Sequence, residues 1–184
     1  AYMADIERAE RAFRRAVTIG TANATEVPPG QLLKARSSLA LTLMRLGRAD
    51  EAEPIARAIV ADSTRIRGAD HPDTLVTRQH WLTSLSMTGR HKEALDGSAS
   101  LLAAMNKRFG VDHSFTLALH STRFESYSAL GRYPEAAGEA EIVWKGAAAK
   151  AGPRSHQALV GQIDYASALC QTPQKLQALG VARD

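Results

Sequence analysis

A six-residue phrase recurs along this chain at a fixed interval, and that interval constrains the fold more than any other property of the sequence. The phrase reads GRADEA from Gly47 to Ala52, GRHKEA from Gly89 to Ala94 and GRYPEA from Gly131 to Ala136, with no insertion or deletion between copies. A second phrase keeps the same step. GADHPDT at Gly68–Thr74 returns as GVDHSFT at Gly110–Thr116, and Gly152 stands one further step on. A strict period of about 42 residues means a stack of similar supersecondary units, each covering the apolar face its neighbour leaves open.

Between the phrases, apolar residues fall at steps of three and four, the helical period. The spacing predicts a helix over about 31–46, with Leu33, Leu39, Ala40, Leu43 and Leu46 on one side. Gly47 stops it, because the residue after a helix commonly turns left-handed, a conformation glycine reaches without a Cβ clash. A second helix is predicted over about 50–67, with Ala52, Ala56, Ile59 and Val60 inward. Glu51 sits in its first turn, where the helix dipole favours a carboxylate, and Pro54 lies where a missing N–H costs little. The same grammar predicts helices over about 72–88, 92–108, 114–130, 134–150 and 156–171. One repeat apart, the first-helix core reads Leu33, Leu75, Leu117, Leu159, and the second-helix core reads Ala52, Ala94, Ala136, Ala178. No stretch alternates with period two over a strand length, so no sheet is expected.

The ends depart from this phase. Residues 4–20 read as the second helix of a repeat whose first helix is missing, and 21–30, with Pro28, Pro29 and Gly30, reads as a loop. In the fourth repeat Pro173 replaces the turn glycine, and a short helix from Leu176 is expected to end at Gly180. The expected organisation is a single domain over 1–184: a partial repeat over 1–26, full repeats over 27–70, 71–112 and 113–154, and a partial repeat over 155–184. Ends of this kind suggest a piece of a longer array or unusual caps, with the terminal helices a route to homo-oligomers.

Bulk properties narrow the functional classes. Hydrophobic residues make up 45% of the chain and aromatics only 5%, which suits helices whose small side chains let backbones approach. The net charge of +4 is spread along the chain with no run of five basic residues, which argues against nucleic acid. The one cysteine, Cys170, makes no internal disulfide and is expected to be a small buried thiol. No apolar stretch approaches the ~18 residues of a membrane span, and the charged N-terminus does not read as a signal peptide. A cytoplasmic location is the expectation.

The paired helices, the small residues at their crossing and the GR–EA turn resemble tetratricopeptide repeats. The nearest variety keeps this same unit length and has a DHPDT-like opening phrase, as in kinesin light chains and the C-terminal arrays of bacterial multidomain regulators. The resemblance spans about Gln31 to Ala178. Trp81 falls where the family often has a large residue, whereas Arg123 stands where a large apolar residue is usual. The resemblance implies an all-α fold, a right-handed α-α superhelix (solenoid) of about three full helix-turn-helix repeats plus partial repeats at both ends. It also implies a concave groove lined by the first helices, which binds peptides or proteins. Family geometry places Lys34, Ser37, Leu41 and Arg45 on that face in the first repeat, and Gln79, His80 and Thr83 in the second. The third supplies Ser121 and Glu125, and the fourth Asp164.

Catalytic chemistry finds little support in the residues. In the DHP phrase, Asp70 and Asp112 read as helix caps and Pro72 as a first-turn residue. His71 and His113 recur with the repeat, as turn residues do. The remaining histidines, His80, His91, His120 and His156, do not form the paired spacing of zinc hydrolases, and there is no CxxC or glycine-rich phosphate loop. The reading is therefore a non-enzymatic protein- or peptide-binding scaffold without metal or cofactor. The alternative is the sensor or effector arm of a multidomain regulator that holds a peptide or small molecule.

Overall fold

The computed structural model describes residues 2–172. The expectations for Pro173, Ala178 and Gly180 lie outside the described residues. Eight helices succeed one another among them: α1 (Tyr2–Ala22), α2 (Pro29–Arg45), α3 (Ala49–Arg67), α4 (Pro72–Met87), α5 (His91–Phe109), α6 (Ser114–Ala129), α7 (Tyr133–Ala151) and α8 (His156–Cys170). No strand occurs among the described residues, so the class is all-α. Two compact units divide the chain, Ala1–Thr88 with α1–α4 and Gly89–Asp184 with α5–α8. Boundaries follow the sequence within a few residues. α1 runs two residues further at each end than expected, and α2 starts two residues earlier, at Pro29, where proline's fixed φ suits the first helical position.

The recurrent glycines do two different jobs. After α2, Gly47 takes φ +72°; its N–H donates to the Met44 carbonyl while the Arg48 N–H reaches back to Leu43. Gly131 repeats this after α6, with φ +72° and the Arg132 N–H donating to Tyr127. This paired 5→2 and 6→1 closure is the Schellman arrangement, which satisfies the last carbonyls of a helix. Gly68, Gly110 and Gly152 end the second helices of the repeats at φ +91°, +96° and +90° with ψ near 160°. That region is essentially closed to side chains.

Histidine, not aspartate, caps the helices that follow. His71 Nδ1 accepts from the Asp73 N–H at 3.2 Å, and His113 Nδ1 accepts from the Phe115 N–H at 3.2 Å. Ser155, one repeat on, accepts from the Ala158 N–H. The expectation that Asp70 and Asp112 cap is thus corrected. Each aspartate lies one residue too early, outside the N-cap position.

Within the first unit, Leu39, Ala40, Leu43 and Met44 of α2 pack on Ala52 of α3, with Phe13 and Val17 of α1 against the other side. Within the second, α7 presents Ala136, Ala137 and Ala140 to Phe124 and Tyr127 of α6 and to Tyr165, Ala168 and Leu169 of α8. Large side chains face small ones, which keeps the helix axes close and the interior filled. Gly161 takes this furthest: a Cβ there would meet the Trp144 backbone nitrogen at 2.7 Å.

Two expectations about burial fail. Leu159 is 44% exposed, and α8 buries Ala158 instead. Its repeat-mate Leu117 is buried because it seats at Gly146 and beside Ala147, both on the helix that follows its own. Cys170 is exposed rather than buried, since the inward side of the last turn of α8 is taken by Ala168 and Leu169.

The two glycine conformations give a paired prediction. Asparagine tolerates the left-handed region, so Gly131→Asn should cost less than about 1 kcal/mol. Gly110→Asn must enter the glycine-only region and should cost about 2 kcal/mol or more. Urea unfolding of the two variants checks the order, and equal losses would contradict it.

Candidate functional site

The solvent-facing sides of the first helices follow from the same periodicity that builds the core. On α2, Lys34 and Arg45 are exposed, while Ser37 and Leu41 are half-buried. On α4, Gln79 is only 5% exposed and its Nε2 donates to Thr83 Oγ1 at 2.9 Å. The Thr83 hydroxyl donates in turn to the Gln79 carbonyl. These two bonds link the two residues along the helix. His80 is mostly enclosed, and burial pushes its imidazole down to about 4, so it is neutral at pH 7.

In the second unit, Ser121 is half-buried and donates to the Leu117 carbonyl, whereas Glu125, one turn on, is exposed. Asp164 on α8 is half-buried. The structure brings Glu125 and Asp164 close enough for their charges to interact. Glu125 reaches solvent, yet surrounding atoms strip part of its hydration. That desolvation, and then the charge of Asp164, raise its carboxyl above the ordinary range. Burial likewise raises Asp164. Neither carboxylate is paired with a basic side chain among the described residues. Beside them on α8, Val160 and Ile163 are 41% and 64% exposed.

A buried polar cluster stands behind this face. Glu139 of α7 is held at 2.6 Å from His120 Nδ1 and accepts from Arg123 Nε at 2.8 Å. Arg123 also donates to Ser98 Oγ at 2.6 Å and to the Tyr127 hydroxyl at 3.2 Å. Burial pushes the Glu139 carboxyl up, but the hydrogen bonds and charges of His120 and Arg123 outweigh it and hold it below the ordinary range. Arg123 occupies the repeat position of Trp81, whose Nε1 donates to Glu53 Oε1 at 2.9 Å. One position thus keeps a donor aimed at a buried carboxylate while changing its chemistry. The departure at Arg123 was the sequence signal; Glu139 and His120 lacked one, because their pairing joins two helices.

The GR–EA turn proves more than a helix stop. Arg48 clasps Glu51 through two hydrogen bonds at 2.6 and 2.9 Å, and Arg90 clasps Glu93 at 2.8 and 2.6 Å. Arg132 donates from both Nε and Nη2 to one oxygen of Glu135, at 3.0 and 2.7 Å, and lays its guanidinium 4.6 Å from the centre of the Tyr127 ring. The Arg partner holds each glutamate below the ordinary carboxylate range. Among the described residues no three His, Cys, Asp or Glu side chains gather as a metal-ligating group, and no helix is long and apolar enough to cross a membrane.

Glycine-ended helix pairs repeating at a constant step define an α-helical repeat protein. Residues 31–96 match the tetratricopeptide repeat family. No curated protein matches the chain in sequence. Among solved structures, one similar fold is a Podosopora anserina protein assigned to the kinesin light chains, with nearly identical TPR-like repeats. It has a TM-score of 0.77 at 21% identity, covering 99% of this chain and 87% of that one. A variant of the same protein gives 0.79 at 22% identity, covering 99% and 86%. BtubC (BKLC) from P. vanneervenii gives 0.76 at 15% identity, covering 97% of this chain and 71% of that one. The tetratricopeptide-type repeat fold read from the sequence is therefore shown.

The buried groups carry predictions of their own. Arg123→Leu leaves Glu139 charged and under-compensated, and should cost about 3 kcal/mol or more. Adding Glu139→Leu should recover most of the loss, because the pair's removal is far cheaper than its breakage. Denaturant unfolding of the single and double variants measures both. For His80, the unfolded chain takes up its proton first as pH falls from about 6.5, so the fold loses stability down to about 4. The stability difference between pH 7 and pH 4.5 should shrink by on the order of 2 kcal/mol in His80→Gln. An unchanged difference would contradict the buried neutral imidazole.

Proposed function

We propose that the chain is a non-enzymatic protein- or peptide-binding module that works through the exposed faces of its first helices. The observation that carries this reading is the division of labour between the helix faces. The recurrent turns are consumed by caps, Schellman closures and Arg–Glu clasps, and the buried carboxylates Glu53 and Glu139 by donors of their own. The solvent-facing rows on α2, α6 and α8 keep uncommitted groups: Lys34 and Arg45 in the first unit, Glu125, Asp164, Val160 and Ile163 in the second. The repeat fold supports an interaction role, because a stacked array presents extended surface rather than one deep pocket. Gln79 and Thr83 serve that surface by stiffening α4, while Ser37, Leu41, His80 and Ser121 form its partly covered margin.

A second reading, the ligand-holding arm of a multidomain regulator, draws on one observation. A cavity of about 310 Å³ lies in the first unit, lined by Val17, Arg36, Leu39, Pro54, Ile55 and Ala58. That is at the small end of ligand sites, and its lining is apolar except for Arg36, which is already paired with Asp62 at 3.2 Å.

Site-directed photo-crosslinking separates the readings. A benzophenone residue at Lys34 or Ile163 should capture protein adducts from extract of the native organism, while one at Ile142, exposed on α7, should capture none. Adducts from Ile142 alone would move the binding surface to the second helices. Small-molecule stabilisation lost in Leu39→Trp would favour the cavity.

A further inference from the structure

The exposed face of the second unit combines two features that each call for a partner. Val160 and Ile163 lie one turn apart on the outer side of α8, with Leu159 beside them, and together they leave an aliphatic strip in water. Such a strip is stabilised when apolar surface covers it. Asp164 follows Ile163 on α8, and Glu125 of α6 lies near enough to Asp164 for their charges to interact. Both helices pack on α7, whose alanines seat Phe124 and Tyr127 from α6 and Tyr165 from α8. The carboxylates are therefore carried by a packed scaffold and not by mobile loops.

We propose that this face docks an extended segment of a partner protein in which lysine or arginine alternates with aliphatic residues. The cationic groups would bridge Glu125 and Asp164, and the aliphatic ones would cover Val160 and Ile163. This assignment rests on the reading that the first-helix faces bind protein, and it adds the partner's chemistry. Charge complementarity decides the sign. The turn glutamates and Glu141 of α7 each have an arginine or lysine of their own: Glu51 with Arg48, Glu93 with Arg90, Glu135 with Arg132, Glu141 with Lys145. Glu125 and Asp164 have none among the described residues, and they repel each other. An acidic segment would deepen that repulsion, whereas a basic one would relieve it. In an extended strand alternate side chains project to opposite sides and lean along roughly 3.3 Å steps, so neighbouring residues can serve the charged flank and the aliphatic strip separately.

Burial raises both carboxyls, which means that ionising them costs the fold stability. Neutralising them should therefore leave the protein as stable as before or more so. A structural role would produce the opposite result.

The test uses the full chain and three fluorescein-labelled hexapeptides: KLRIKL, its acidic counterpart ELEIEL, and KGRGKG, which keeps the charge without the aliphatic groups. KLRIKL should bind at least tenfold more tightly than either control, and its affinity should fall with added salt. The double variant Glu125→Gln/Asp164→Asn should lose roughly tenfold or more in KLRIKL affinity at an unchanged or raised melting temperature. Ile163→Ser should weaken KLRIKL and leave KGRGKG as it was. If ELEIEL binds best and Ile163→Ser weakens it, the face is an interaction surface but the basic assignment falls. If no peptide responds to substitutions on this face, the interaction reading of the second unit falls with it. A peptide of residues 173–184 that displaces KLRIKL would overturn the external partner, making the chain's own segment the occupant.

Discussion

Everything in this structure depends on reversing the chain tightly enough that two helices meet backbone to backbone. Alanine makes that meeting possible: Ala52, Ala94 and Ala136 are all essentially sealed from solvent. Small residues lower the distance between axes, and shorter distances multiply the weak dispersion contacts that hold a helical core. The reversal comes from glycine in a conformation other residues avoid, so turn and crossing are selected together. A longer connector would leave the helix ends unsatisfied; a bulkier crossing residue would lever the helices apart.

Within that frame the interior tolerates large changes in chemistry, provided that each buried carboxylate finds a donor. The position held by Trp81 is taken by Arg123 one repeat later, and both aim an N–H donor at a buried carboxylate. The carboxylate itself comes from a different helix in each case, α3 for Trp81 and α7 for Arg123. Such networks have high stakes, because half of one is far worse than none. Repetition therefore fixes geometry and caps while leaving the polar wiring of each repeat free to differ.

This explains why some of the molecule was legible in its sequence and some was not. Helix limits, the glycine turns and the buried alanine column follow from local rules acting within a few residues, and they match the structure closely. His71 and His113 misled because either DHP residue can accept from a helix N–H, and only the position of the first turn decides between them. Leu159 misled because its column is buried by the following helix and not by its own. The candidate face was legible as a set of positions but not as a set of availabilities. Gln79 donates to Thr83 one turn on, a fact of rotamers, while the Glu125–Asp164 interaction joins residues on separate helices. Val160 lay in the same column as Lys34 and was readable only once the face itself was in view.

The central claim is that binding lies on the first-helix faces while the turns serve structure alone. Residue-resolved hydrogen exchange of the full chain, with and without a partner captured from the native organism, tests this most directly. Partner-induced protection should appear along α6 and α8 or α2 and α4, with the GR–EA turns and the histidine caps unchanged. Protection centred on those turns, or on the outer surfaces of α3, α5 and α7, would contradict the account.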